Sequence, residues 1–99
     1  MGLAELAGEL AKHEIGWWKA HHRKDREGLV EHMARKYELQ YGLPYDEARE
    51  AVTLMADATK EHDIAEELED ADNQSEADVH WQKAEELLVQ HFELLYKNQ

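Results

Sequence analysis

One strong helix-breaking site interrupts this chain, the triplet Gly42-Leu43-Pro44, and that scarcity constrains the fold more than anything else. The 99 residues hold five glycines and this single proline. Proline lacks an N–H and clashes with the preceding helical turn, and glycine tolerates the left-handed conformation that closes helices. A chain with so little punctuation must either run as long helices or show the period-two alternation of strands. No stretch of useful length alternates, whereas apolar residues recur at helical spacing throughout.

The stripes can be followed in order. Leu3, Leu6, Leu10, Trp17 and His21 define a helix over about 3–22. The phase then changes, and Leu29, Val30, Met33 and Tyr37 line another side. Asp25 either caps a second helix or sits in a kink of one long helix. A third helix starts near Tyr45, with Asp46 and Glu47 favourable in its first turn. Its stripe is Ala48, Val52, Met55, Thr59, His62 and Glu66. Asp72-Asn73-Gln74-Ser75 is a turn cluster with Ser75 as expected N-cap. The last helix runs to about Tyr96, with Ala77, Trp81, Ala84, Leu87, Leu88, His91 and Leu95 on one face. The tyrosines at 37, 41 and 45 are expected at the helix junction. The fold class is therefore all-α, a small helical bundle or stacked αα-hairpins of three to five helices, in one domain over 1–99.

Charge narrows the function. Asp and Glu outnumber Lys and Arg by 23 to 11, giving a net charge of −12. That argues against a nucleic-acid backbone or an anionic membrane surface as partner. No run approaches the roughly 20 apolar residues of a membrane span. The acidic early sequence Met1-Gly2-Leu3-Ala4-Glu5 is unlike a signal peptide, and Leu6 stands where a myristoylation motif wants Ser or Thr. The expected location is cytoplasmic. Absence of cysteine excludes disulfides, thiolate zinc sites and iron–sulfur clusters. The charge is also segregated. Residues 19–36 carry Lys19, Arg23, Lys24, Arg26, Arg35 and Lys36 against three acids, while 46–76 carry twelve acids against Arg49 and Lys60. The two stretches are either neighbours in the fold, solvated faces, or a complementary contact between chains.

Residues from about 58 to 91 resemble a tetratricopeptide repeat. Ile64, Ala65 and Leu68 fit its first helix, Ser75-Glu76-Ala77 its second-helix start, and Trp81 and Ala84 its aromatic and small positions. Asp72 departs from the usual turn glycine, Glu61 from the early aromatic, and Val89 from the closing proline. Gly42 followed by Tyr45-Asp46-Glu47-Ala48 echoes the same turn. The resemblance implies stacked helix hairpins, which need neighbours to bury their faces.

Seven histidines at 13, 21, 22, 32, 62, 80 and 91 raise a second possibility. His62 and Glu66 are four apart and share a helix face. His80 and His91 nearly align on the last helix, and Glu14 and His21 lie on the stripe of Leu10 and Trp17. Imidazoles and carboxylates pointing into a helical bundle build di-iron and di-manganese sites, and such ligands suit Fe, Mn, Zn or Ni. The order His32, His62-x-x-x-Glu66, His80 also resembles the hemerythrin pattern in part. Ala84 stands at the position expected for the next ligand, and Tyr96 breaks the closing motif. The alternative for His62, His80 and His91 is a hydrogen-bonded core position, and His13 and His22 are expected to be exposed. A third reading is a pH switch built on these imidazoles.

The sequence offers no support for a nucleophile–base arrangement and no glycine-rich phosphate loop, so it leans away from an enzyme without deciding the matter. The leading expectation is a protein acting through protein–protein contact or homo-oligomeric assembly, with Trp17, Trp18 and Trp81 as core or interface anchors. The rival is a metal-binding helical protein with His62, Glu66, His80, His91, Glu14 and His21 as ligands, its site shared between subunits where one chain is insufficient.

Overall fold

The computed structural model describes residues 2–97. Four helices follow in order: α1 (Leu3–His22), α2 (Arg26–Tyr41), α3 (Tyr45–Asp70) and α4 (Gln74–Tyr96). There is no strand among the described residues, so the all-α expectation holds. They form two hairpins, α1–α2 and α3–α4, joined by packing of α2 on the first half of α3; α1 touches only α2.

Both hairpins are closed by the same three-residue turn. After α1, Asp25 N–H donates to the Ala20 carbonyl and Lys24 N–H to that of His21; after α3, Asn73 N–H donates to Leu68 and Asp72 N–H to Glu69. The middle residue is left-handed each time, Lys24 at φ 56° and Asp72 at φ 58°. The third residue caps the next helix, Asp25 accepting from Gly28 N–H at 3.0 Å and Asn73 from Glu76 N–H at 3.4 Å. Asn73 is therefore the cap in place of the expected Ser75: its carboxamide lies one turn before Glu76, whereas Ser75 is already helical. Residues 22–28 are a turn between two helices and not a kink. The non-glycine Asp72 adopts the conformation for which glycine is usual. Between the hairpins, Gly42 is left-handed at φ 66° and its N–H meets Glu38.

The main core lies where α2, α3 and the end of α4 meet. Val30, Ala34, Tyr37, Leu43, Ala48, Ala51, Val52 and Leu95 are buried together, with Met33, Tyr41, Tyr45 and Leu94 against them. The tyrosines thus pack the junction as anticipated. On α3 the buried line is Ala51, Ala58 and Ala65, facing Ala77 and Ala84 of α4. Small side chains let two helices approach closely, and spacing of seven keeps them on one seam. Thr59, His62 and Glu66, placed on this stripe from the sequence, are instead exposed.

A polar clasp ties α2 to α3. Tyr45 donates to Glu31, Arg49 reaches Glu31 and Glu27, and Arg35, itself bridged to Glu31 and Glu38, stacks 4.2 Å over the Tyr45 ring. The Tyr45 hydroxyl holds the Glu31 carboxyl below its usual range against the opposing effect of burial, with the Arg35 and Arg49 guanidinium groups adding to the lowering.

The result is elongated, 51 × 33 × 20 Å, with a radius of gyration of 15.7 Å where about 13 Å is usual for a compact chain this long. Among the described residues no helix is long and apolar enough to cross a membrane.

Candidate functional site

A cleft of about 590 Å³ opens between α1, α2 and α3. It exists because α1 leans on α2 without reaching α3. Trp17 and Ala20 form one wall, Leu29, Val30, Met33 and Tyr37 the floor, and Val52, Met55, Ala56 and Thr59 the other wall. Lys24 and Arg26, with Asp25 between them, stand at the mouth beside His21, whose ring stacks on Trp17 at 5.6 Å and 4°. Methionines give such a surface adaptability, and a tryptophan gives it a large anchor. Among the described residues, no carboxylate lies within 4.0 Å of Lys19, Arg23, Lys24 or Arg26, so this corner carries unpaired positive charge.

Two cross-helix polar pairs occupy equivalent places in the two hairpins, offset by 48 residues. In the first, His13 Nδ1 lies 3.1 Å from His32 Nδ1. In the second, His80 Nδ1 pairs with Glu61. His13 is thus half-buried against α2, not exposed, because its place on α1 faces the hairpin partner. The approach is close enough that a Cβ on Gly16 would sit 2.4 Å from the His32 ring. Burial, then the His32 ring, push the His13 imidazole below its usual range, with Glu9 opposing and Lys12 and Arg35 adding to the lowering. The hydrogen bond from His80 holds the Glu61 carboxyl low, with Lys83 and Lys60 assisting.

The six candidate metal ligands do not gather at one point. His91 is 1 % exposed at the meeting of α2, α3 and α4, its Nδ1–H donating to the Ala51 carbonyl at 2.7 Å. His80 pairs with Glu61, and Glu14 is bridged to Lys36 of α2. His21 is exposed and stacked on Trp17. His62 and Glu66 do come together, 3.0 Å apart on the α3 surface, and Asp63 joins them. The ligand atoms of these three all lie within 4.8 Å of one another, the one such group of three among the described residues. The His62 ring meets Trp81 edge-on at 5.0 Å, and the Trp81 indole N–H donates to Glu69. Asp63 and the His13–His32 pair were missed in the sequence; the first is a neighbour of His62, while the second needed knowledge of how α1 meets α2.

The three tryptophans part company. Trp17 lines the cleft, Trp81 is half-buried in the α3–α4 seam, and Trp18 is 50 % exposed. Comparison with known families, curated proteins and solved structures gives no match to this chain.

Proposed function

We propose that this protein works by binding another protein, and that the cleft between α1, α2 and α3 receives the apolar face of an amphipathic helix with acidic flanks. The observation that carries this reading is the combination of an open apolar trough with Lys24 and Arg26 unpaired at its mouth. Grooves of this kind take helices through apolar anchors at i, i+3, i+4 and i+7. Acidic flanks follow from charge complementarity at the rim, which sets specificity more than affinity. The sequence resemblance of residues 58–91 to a tetratricopeptide repeat is in keeping with this reading, since helical-hairpin stacks of that family offer concave binding faces. The test is an NMR titration with a leucine-bearing amphipathic peptide made with glutamate or with lysine flanks. The glutamate peptide is expected to shift Trp17, Met33 and Met55 and to lose affinity with salt. Absence of shifts at millimolar peptide, or preference for the lysine form, refutes the proposal.

A second reading rests on the His62–Asp63–Glu66 triad, a set of one nitrogen and two oxygen donors suited to a divalent transition metal. Calorimetry with zinc or nickel, on wild type and His62→Ala, tests it: binding that survives the substitution, or none at all, refutes it.

A further inference from the structure

The α1 helix carries two apolar stripes, and the fold uses one. Leu6, Leu10, Trp17 and Ala20 turn toward α2 or the cleft. On the face nearly opposite, Ala4, Gly8, Ala11, Ile15, Trp18 and His22 recur at spacings of four, three, four, three and four. All six are exposed, Ile15 at 44 % and Trp18 at 50 %. A 3.5-residue period is the signature of a helix that packs along another helix by knobs into holes. Neither α3 nor α4 touches α1, so among the described residues nothing fills this seam.

We propose that a second copy of the chain covers it, α1 against α1, in antiparallel orientation about a two-fold axis. Three observations converge. The first is area: the chain exposes 6675 Å², whereas a folded monomer of 11.6 kDa is expected to expose roughly 5,800 Å². The excess, about 800 Å², is spread over an elongated chain with an open cleft, and the uncovered α1 seam with Ile15 and Trp18 is part of it. The second is shape. An antiparallel pairing sets Ala4 opposite His22, Gly8 opposite Trp18 and Ala11 opposite Ile15, small against large in every layer. A parallel pairing would set Trp18 on Trp18 and Gly8 on Gly8, crowded at one end and empty at the other. The third is flanking charge: Glu5 and Lys19 border the seam at its two ends, so the antiparallel pair brings each to the other's copy, twice by symmetry. Lys12 meets its own copy near the axis, where its long stem carries the charge into solvent. The seam is separate from the cleft, and this inference does not rest on peptide binding there.

The experiment is light scattering on the size-fractionated full chain, with Ile15→Glu and Trp18→Glu alongside. Both positions are solvent-facing in the single chain, so either variant should keep its helical circular dichroism. Wild type is expected at twice 11.6 kDa and each variant at 11.6 kDa. A monomeric wild type at several hundred micromolar overturns the proposal, as does a dimer unaffected by a helical Ile15→Glu or Trp18→Glu variant. Orientation is read by spin labels at Leu3→Cys, an exposed site off the seam. Antiparallel pairing separates them by about 30 Å along the helices, from a rise of about 1.5 Å per residue over some twenty residues. A separation under about 20 Å, with helices packed about 10 Å apart, would mean parallel chains and overturn the orientation.

Discussion

Replacing His91 with alanine tests the core most directly. His91 is the largest fully buried side chain, and it touches three helices at once. Its ring lies 5.8 Å from Tyr37 of α2 and 4.9 Å from Phe92, and its Nδ1–H reaches the Ala51 carbonyl of α3. Truncating a large buried side chain to alanine typically costs about 2–5 kcal/mol through lost transfer energy and the cavity left behind. The hydrogen bond contributes about 1 kcal/mol net. The Ala51 carbonyl sits inside α3 and keeps its helical partner, so no orphaned acceptor adds to the loss. An imidazole is smaller than a phenyl ring, and the sum is about 2–4 kcal/mol. For a chain this size the whole stability is about 5–15 kcal/mol. At about 4–8 °C per kcal/mol the melting temperature should fall by on the order of 10–25 °C. Urea and thermal unfolding followed at 222 nm measure it, with His91→Phe as the companion that keeps a ring but loses the donor. Phenylalanine should cost less than alanine. A loss under about 1 kcal/mol for alanine, or a larger loss for phenylalanine, would refute the view that this ring fills the three-helix junction through volume first and its hydrogen bond second.

Acid should loosen the two hairpins in turn. Burial and the His32 ring hold the folded His13 imidazole below its ordinary value near 6.5, so the unfolded chain binds the proton more readily, and the stability this pair gives is present above about pH 6.5 and lost as pH falls below it. The Glu61 carboxyl is likewise held below its ordinary value near 4.5 by the His80 hydrogen bond, so the α3–α4 pairing persists until pH drops under that value. Trp17 fluorescence in a Trp18→Phe, Trp81→Phe background should therefore change at higher pH than Trp81 fluorescence in the converse background; simultaneous transitions would contradict this. Asp25→Ala should cost about 1 kcal/mol by removing the α2 cap. Gly28→Ala places a Cβ 2.3 Å from that carboxylate, so it should destabilise wild type yet gain up to about 1 kcal/mol in the Asp25→Ala background, a sign change that a double-mutant cycle in urea would read. Gly42→Ala, at φ 66°, should cost about 1 kcal/mol by urea unfolding, and a neutral result would argue against the left-handed closure of α2.

Much of this architecture was legible because it depends on backbone chemistry. Gly42 and Pro44 announce their turn, Asp25 announces a cap, and the α4 face was read nearly complete because its apolar residues are large. The α3 seam was not legible, because Ala51, Ala58 and Ala65 carry little hydrophobic signal, while the stronger stripe runs through Met55, half-buried in the cleft wall, out to the exposed Thr59 and His62. The turn at 72–75 was legible from its composition, but the left-handed backbone at Lys24 and Asp72 was hidden, because left-handed residues are recognised as glycine and neither is. The cleft and the His13–His32 pair are tertiary products of how far α1 leans on α2, and no spacing within one helix encodes that distance.

That leaning has a consequence for motion. A helix held by a single neighbour can leave without disturbing the rest, so undocking of α1 should be the lowest-energy excursion of the native state. Its amide protons should exchange with solvent ahead of those in the α2–α3–α4 core, as one cooperative unit. Each such opening removes the Trp17 wall, so the lifetime of the trough is set by how long α1 stays down, and anything that clamps α1 from outside would lengthen it.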